Sequence, residues 1–108
     1  MNLKNKKCIP CEGGIPSLNI KESGKYLKII NSAWKISENK RIERRFKFVN
    51  FAHTMAFVNK VAKIAEQEGH HPDMYISYSE CKIELWTHAI NGLSENDFIL
   101  AAKIDELA

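Results

Sequence analysis

No stretch of this sequence comes near the ~18 consecutive apolar residues that a membrane span requires. The opening residues, MNLKNKKCIPCEGG, lack the apolar core of a secretory signal. Both absences lead to the expectation of a cytoplasmic protein with no membrane association. Cysteine is sparse, with Cys8, Cys11 and Cys81 only. A structural zinc site needs four ligands, and no second pair matches the spacing of Cys8 and Cys11. A thioredoxin-type motif would run directly into a helix, whereas Pro10, Gly13, Gly14 and Pro16 break any helix there. Residues 1–16 therefore read as an extended, mobile arm with reduced cysteines, and residues 17–108 as a single domain. Charge of one sign is also in short supply. The net charge is +3, and Lys40, Arg41, Arg44, Arg45 and Lys47 are explained as the solvated face of a strand. No nucleic-acid motif accompanies them, so direct nucleic-acid binding is not expected.

What is present is an ordinary globular composition, 44% hydrophobic and 27% charged over 108 residues, enough for one modest core. From about Ser17 to Asn31, the residues Leu18, Tyr26, Leu27, Ile29 and Ile30 suggest a first helix, weakened by Gly24. Trp34 to Ser37 reads as a short strand and Glu38-Asn39-Lys40 as a turn. In Arg41–Phe48, Ile42, Phe46 and Phe48 alternate with charged residues at the period of a half-buried strand. Asn50 is a fitting N-cap for the strongest helix, Phe51 to Glu68, which Gly69 ends. That helix carries one apolar stripe of Phe51, Met55, Val58, Ala62 and Ala65, and a second of Phe57, Val61 and Ile64. The surplus serves either a wide core face or a second burial surface.

Met74–Ser79 and Lys82–His88 read as a second hairpin, with Glu80-Cys81 near its turn. Ser94, with Asp97 three residues on, opens a last helix in the manner of a capping box. The order α-β-β-α-β-β-α, with two hairpins and no long crossovers, implies an α+β fold. Its expected form is a four-stranded antiparallel sheet with three helices packed on one face.

Three of the four histidines fall at His70, His71 and His88, with Glu66 four residues before the first. Imidazole titrates near neutral pH without perturbation, so the cluster points to proton transfer or metal binding. Pro72 disfavours helical backbone at His71, so the chain turns extended there and the two neighbouring imidazoles project apart. A metal shell using both is thereby disfavoured. One built from one of them with His88 and Glu66 stays open, as does simple favourable charge at a helix C-terminus. His53, in the first turn of the long helix, is expected in solvent.

The spacing of Glu66, His70-His71-Pro72, Tyr78, His88 and Asp97 resembles the signature of the pterin-4a-carbinolamine dehydratases. The likeness extends to Ala33-Trp34, to Phe46-Lys47-Phe48, to Gly92-Leu93-Ser94-Glu95, and to the arm from Lys7 to Gly14. It covers residues 17–107. The resemblance implies dehydration of a 4a-hydroxytetrahydropterin to the quinonoid dihydropterin, as in tetrahydrobiopterin recycling, with the pterin as substrate and neither metal nor redox cofactor. Carried over by position, His70, His71 and His88 are the acid–base groups and Glu66 orients or tunes them. Trp34, Pro72, Thr87 and Asp97 are substrate-binding candidates. Trp34 equally suits a core position, and Asp97 a helix start. Gly69 departs from relatives with Asp or Asn there, which removes any polar contact from that position. The resemblance also implies a homodimer or homotetramer and functional coupling to an aromatic amino acid hydroxylase. A rival reading is a protein-binding dimerisation cofactor, or transcriptional coactivator-type module, without turnover. A regulatory small-molecule-binding module, which would keep a pocket but need no acid–base set, is a third.

Overall fold

The protein is described by a computed structural model over residues 2–9 and 16–108. Helix α1 spans Ile20–Leu27. It starts later than the apolar pattern suggests because Asn19 caps it. The Asn19 side chain accepts the Glu22 N–H at 2.8 Å, and the Glu22 carboxylate accepts the Asn19 N–H at 2.9 Å. It also ends earlier, and Ile30 turns into the core beyond it. Strands β1 (Lys35–Ser37) and β2 (Arg41–Lys47) form the expected hairpin. Its turn places Glu38 and Asn39 in left-handed backbone, at φ 56° and 52°.

Helix α2 runs Phe51–Glu68 between the two caps read from the sequence. The Asn50 side chain accepts the His53 N–H at 2.9 Å, and Gly69 adopts φ 64°, a conformation costly for residues with a Cβ. The buried side of α2 is Thr54, Phe57, Val58, Val61 and Ala65, a mixture of the two expected stripes. Phe51 is left exposed, together with Val49, Ile76 and Tyr78.

Strands β3 (Asp73–Ile76) and β4 (Glu80–Leu85) complete an antiparallel sheet of order β1-β2-β4-β3. The second hairpin turns at Ser77–Ser79, not at Glu80-Cys81. Ser77 N–H donates to the Glu80 carbonyl at 2.9 Å, and Cys81 pairs with Phe46 on the buried face. Ile42, Phe46, Cys81, Ile83 and Leu85 point to the helices, while Arg45, Lys47 and Tyr75 stay exposed on the other face. Arg44 departs from the expected solvated face. It lies on the helix side, paired with Asp105 of α3 (Glu95–Asp105) and seated over the Phe46 ring at 4.3 Å.

The expected loose arm is docked over residues 2–9. Its short 3-10 turn, Leu3–Asn5, puts Leu3 in the core at 2% exposure, and Lys103 of α3 donates to the Lys4 carbonyl at 2.9 Å. An arm rich in lysine offers no local sign of this, because one buried leucine carries the anchoring. Cys11 lies outside the described residues. Among the described residues no helix is long and apolar enough to cross a membrane.

Candidate active site

A pocket of about 420 Å³ opens where the C-terminal end of α2, the start of β3 and the end of β4 meet. The left-handed turn at Gly69 reverses the chain so that His70 N–H still bonds the Ala65 carbonyl at 3.2 Å, and Pro72 then sends it into β3. His70, His71, Pro72, Thr87 and His88 all line the pocket. Five of the candidates are thus brought together from two segments far apart in sequence.

His70 is the most constrained of them. Its side chain is 11% exposed, and its Nε2 lies 2.6 Å from Oδ1 of Asp97, which is fully buried. The other oxygen, Asp97 Oδ2, accepts from Thr87 Oγ1 and from the Ser94 N–H, each at 3.0 Å. Thr87 Oγ1 lies 2.7 Å from Ser94 Oγ. Asp97 thus opens α3, as the sequence suggests, and also orients a site histidine. Against an ionised Asp97, which only accepts, a neutral His70 carries its proton on Nε2 and leaves the Nδ1 lone pair free.

His71 faces the other way, as its extended backbone predicts. Its Nε2 lies 2.9 Å from Glu66 Oε2, in a pair that is 62% and 78% exposed. The two adjacent histidines therefore answer to separate carboxylates. The ligand set left open by the sequence, one of them with His88 and Glu66, is not assembled among the described residues.

His88 leaves the sheet. Strand β4 ends at Leu85, Thr87 bridges to Gly92, and His88–Ile90 form a 3-10 turn closed by Asn91 at φ 49°. Gly92 is required here by space, because a Cβ would lie 2.6 Å from the Ser17 Cβ. The turn lays the His88 ring on Trp86, with centroids 3.9 Å apart and planes inclined by 33°.

Trp34 is not part of this pocket. It is 2% exposed in the core, its indole N–H donates to Asp105 at 2.8 Å, and its ring meets Phe46 edge-on. A buried indole needs a hydrogen-bond acceptor, and Asp105 supplies it. Tyr78 is exposed and absent from the pocket wall. His53 is in solvent as expected, with its Nδ1 2.7 Å from Asn50 Oδ1.

The sequence reading missed five wall residues: Trp86, Asp73, Ala89, Asn96 and Ile9. Trp86 donates its indole N–H to Asp73 at 3.1 Å, which ties the two hairpin strands together at the rim. Its place two residues before His88 was a usable signal. Ile9 and Asn96 meet across 87 positions and had none.

A sequence profile described as "Pterin 4 alpha carbinolamine dehydratase" matches residues 16–107. A curated relative from Rickettsia canadensis is 53% identical over 103 residues, covering 95% of this chain and 94% of its own. Another from Nitrosomonas eutropha is 53% identical over 106 residues, covering 98% and 93%. Both carry the provisional name pterin-4-alpha-carbinolamine dehydratase. Among solved structures, a Brucella melitensis protein titled transcriptional coactivator/pterin dehydratase superposes with TM-score 0.80 at 30% identity, covering 85% of this chain and 98% of that one. A pterin dehydratase-like protein described as a RuBisCO assembly factor in the alpha-carboxysome gives TM-score 0.61 at 27% identity, covering 70% and 89%.

Proposed function

We propose, for a chain that belongs to the pterin 4 alpha carbinolamine dehydratase family, that it dehydrates a 4a-hydroxytetrahydropterin to the quinonoid dihydropterin by histidine acid–base catalysis. In the reaction the bond from the 4a carbon to the hydroxyl oxygen breaks. The hydroxyl takes one proton and leaves as water, the adjacent ring nitrogen gives up one proton, and a carbon–nitrogen double bond forms between them. One acid and one base suffice. The observation that carries the reading is the buried Asp97–His70 pair, on a pocket that two further histidines line.

His70 is the base in this scheme. Asp97 holds the Nε2 proton, leaves Nδ1 to accept the proton from the ring nitrogen, and stabilises the imidazolium that results. His88 is the acid. Its ring rests on Trp86 with centroids 3.9 Å apart, which holds it in place on the pocket wall. His71 with Glu66, both exposed, connects the pocket to solvent and returns protons after turnover. Thr87 acts through Asp97, and Pro72 shapes the rim. The physiological setting that fits is tetrahydrobiopterin recycling beside an aromatic amino acid hydroxylase.

The test generates the carbinolamine with a phenylalanine hydroxylase and follows its decay spectroscopically with wild type, His70→Ala, His71→Ala and His88→Ala. Acceleration by wild type with losses on the order of 10²-fold in His70→Ala and His88→Ala supports the assignment. A folded wild type that leaves the spontaneous rate unchanged refutes it.

A second reading, a protein-binding role without turnover, is favoured by the exposed apolar group Val49, Phe51, Ile76 and Tyr78. Homodimer or homotetramer formation through that group is the economical occupant. Sedimentation of Phe51→Asp and Tyr78→Asp against wild type tests it, since a self-association surface predicts a lower mass in the variants.

A further inference from the structure

We propose that Ile9, its backbone clamped in place by Asn96, is a wall of the pterin pocket and determines how tightly an apolar part of the substrate is held. The inference rests on the reading of the pocket given above. Asn96 is in the first turn of α3 and is 4% exposed. Its side-chain amide addresses both backbone groups of one residue. Nδ2 donates to the Ile9 carbonyl at 2.7 Å, and Oδ1 accepts the Ile9 N–H at 3.0 Å. A neighbouring strand would make the same pair of bonds.

Cys8 is fixed beside it. Its N–H donates to Glu68 Oε1 at 2.8 Å, and its thiol donates to the Asn96 carbonyl at 3.6 Å. Upstream, Leu3 is buried in the core and Lys6 bonds Glu95 at 3.1 Å. These bonds hold the backbone from Leu3 to Ile9, yet the Ile9 side chain is 71% exposed on the wall that His70, His71 and His88 also line. A large apolar side chain on a fixed backbone, facing a pocket, covers a ligand at little ordering cost. A pterin has polar edges and apolar faces. The histidines meet the edges, and Ile9 covers a face that Pro72 and Trp86 alone leave open to water.

The deciding experiment titrates fully oxidised pterin by fluorescence and measures dehydration kinetics for wild type, Ile9→Ala, Asn96→Ala and the double variant. Ile9→Ala is expected to weaken Kd and raise KM about tenfold, with the loss carried by KM rather than kcat and the pH profile of kcat unmoved. Asn96→Ala is expected to cost a similar factor, with Ile9→Ala adding less than twofold in that background, because the wall is already gone. In protein that also carries Cys11→Ser, Asn96→Ala should speed alkylation of Cys8 at least tenfold, since release of the segment uncovers the thiol. Unchanged Kd and KM in Ile9→Ala, a multiplicative double variant, or unchanged Cys8 alkylation each overturns the proposal. Ile9 is exposed, so its truncation leaves the core intact and decides the matter even if Asn96→Ala fails to fold. A wild type that neither binds pterin nor accelerates dehydration defeats the functional reading itself, whereas an active wild type matched by Ile9→Ala defeats only the wall.

Discussion

Replacing Asp97 by Asn separates orientation of His70 from mere occupancy of its neighbour. Asp97 is fully buried, with Oδ1 facing His70 and Oδ2 accepting from Thr87 and the Ser94 N–H. Asparagine has the same shape, so the question is which way its amide turns. With its oxygen toward Thr87 and Ser94, every bond there survives and the NH2 faces His70 Nε2. The imidazole must then accept at Nε2 and carry its proton on Nδ1, which removes the lone pair from the pocket. Turning the amide over restores the productive tautomer but aims NH2 at the Ser94 N–H, leaving a buried donor unpaired at a cost of about 1–3 kcal/mol. At about 1.4 kcal/mol per decade, the active form is suppressed about 5- to 150-fold. Loss of the charge that stabilises imidazolium adds to this, so kcat should fall on the order of 10²- to 10³-fold. KM should move only a few-fold, because Asp97 itself does not line the pocket. Stability should fall by about 2 kcal/mol, since the three bonds to the carboxylate lose its charge but no donor is orphaned. The assay is stopped-flow dehydration of enzymatically generated carbinolamine, with urea unfolding on the same preparation. A folded Asp97→Asn protein with kcat within threefold of wild type would refute the assignment of His70 as an Asp97-oriented base.

Other outcomes follow from the same structure. Glu66→Gln should lower kcat less than fivefold and leave urea stability within about 0.5 kcal/mol, because its pair with His71 is exposed; a hundredfold loss in the dehydration assay would make Glu66 a proton-transfer group. Burial first, then the hydrogen bond to Glu95, pushes the Tyr26 hydroxyl up to about 12 from an ordinary 10.0. The folded state therefore holds this proton more tightly, and its contribution is full below pH 10 and lost as pH rises toward 12. Burial and the nearby Glu68 charge likewise push the Cys8 thiol up to about 12 from 9.0, which opens the same loss at pH 9. Thermal melts from pH 8 to 12 should show declining stability, and a Tyr26→Phe, Cys8→Ser double variant should decline less; identical slopes would contradict both shifts. Glu38→Gly should raise stability by about 0.5–1 kcal/mol in urea unfolding, because the left-handed backbone at φ 56° strains a residue with a Cβ. A loss would show that the contact of Glu38 with Arg41 at 3.5 Å outweighs the strain.

The parts of the fold legible in the sequence are those specified by neighbouring residues. Asn50 and Gly69 bound α2 because a side-chain acceptor and a left-handed glycine act within one turn. The alternation in β2 shows its buried face because period two is local. Arg44 broke that reading for a reason beyond the strand, since its partner Asp105 lies 61 positions away and makes a half-buried guanidinium tolerable on the helix side. Trp34 is claimed by the same carboxylate, so a residue assigned to substrate by resemblance serves the core. The end of β4 was overrun because Trp86, Thr87 and His88 continue the alternation, whereas Thr87 is drawn off by Gly92, Ser94 and Asp97.

The candidate site shows the same division. Extended backbone imposed by Pro72 is enough to turn His70 and His71 apart, and the structure pairs them with different carboxylates. Which carboxylate each would meet was a tertiary question. Glu66 was the local candidate, but it meets the exposed His71, while buried His70 takes Asp97 from 27 positions on. Burial decides the chemistry here. In the proposed mechanism the exposed pair, open to water, shuttles protons, whereas the buried pair fixes a tautomer. The two adjacent histidines, alike in sequence, are thereby given different work by the depth of the carboxylates they face.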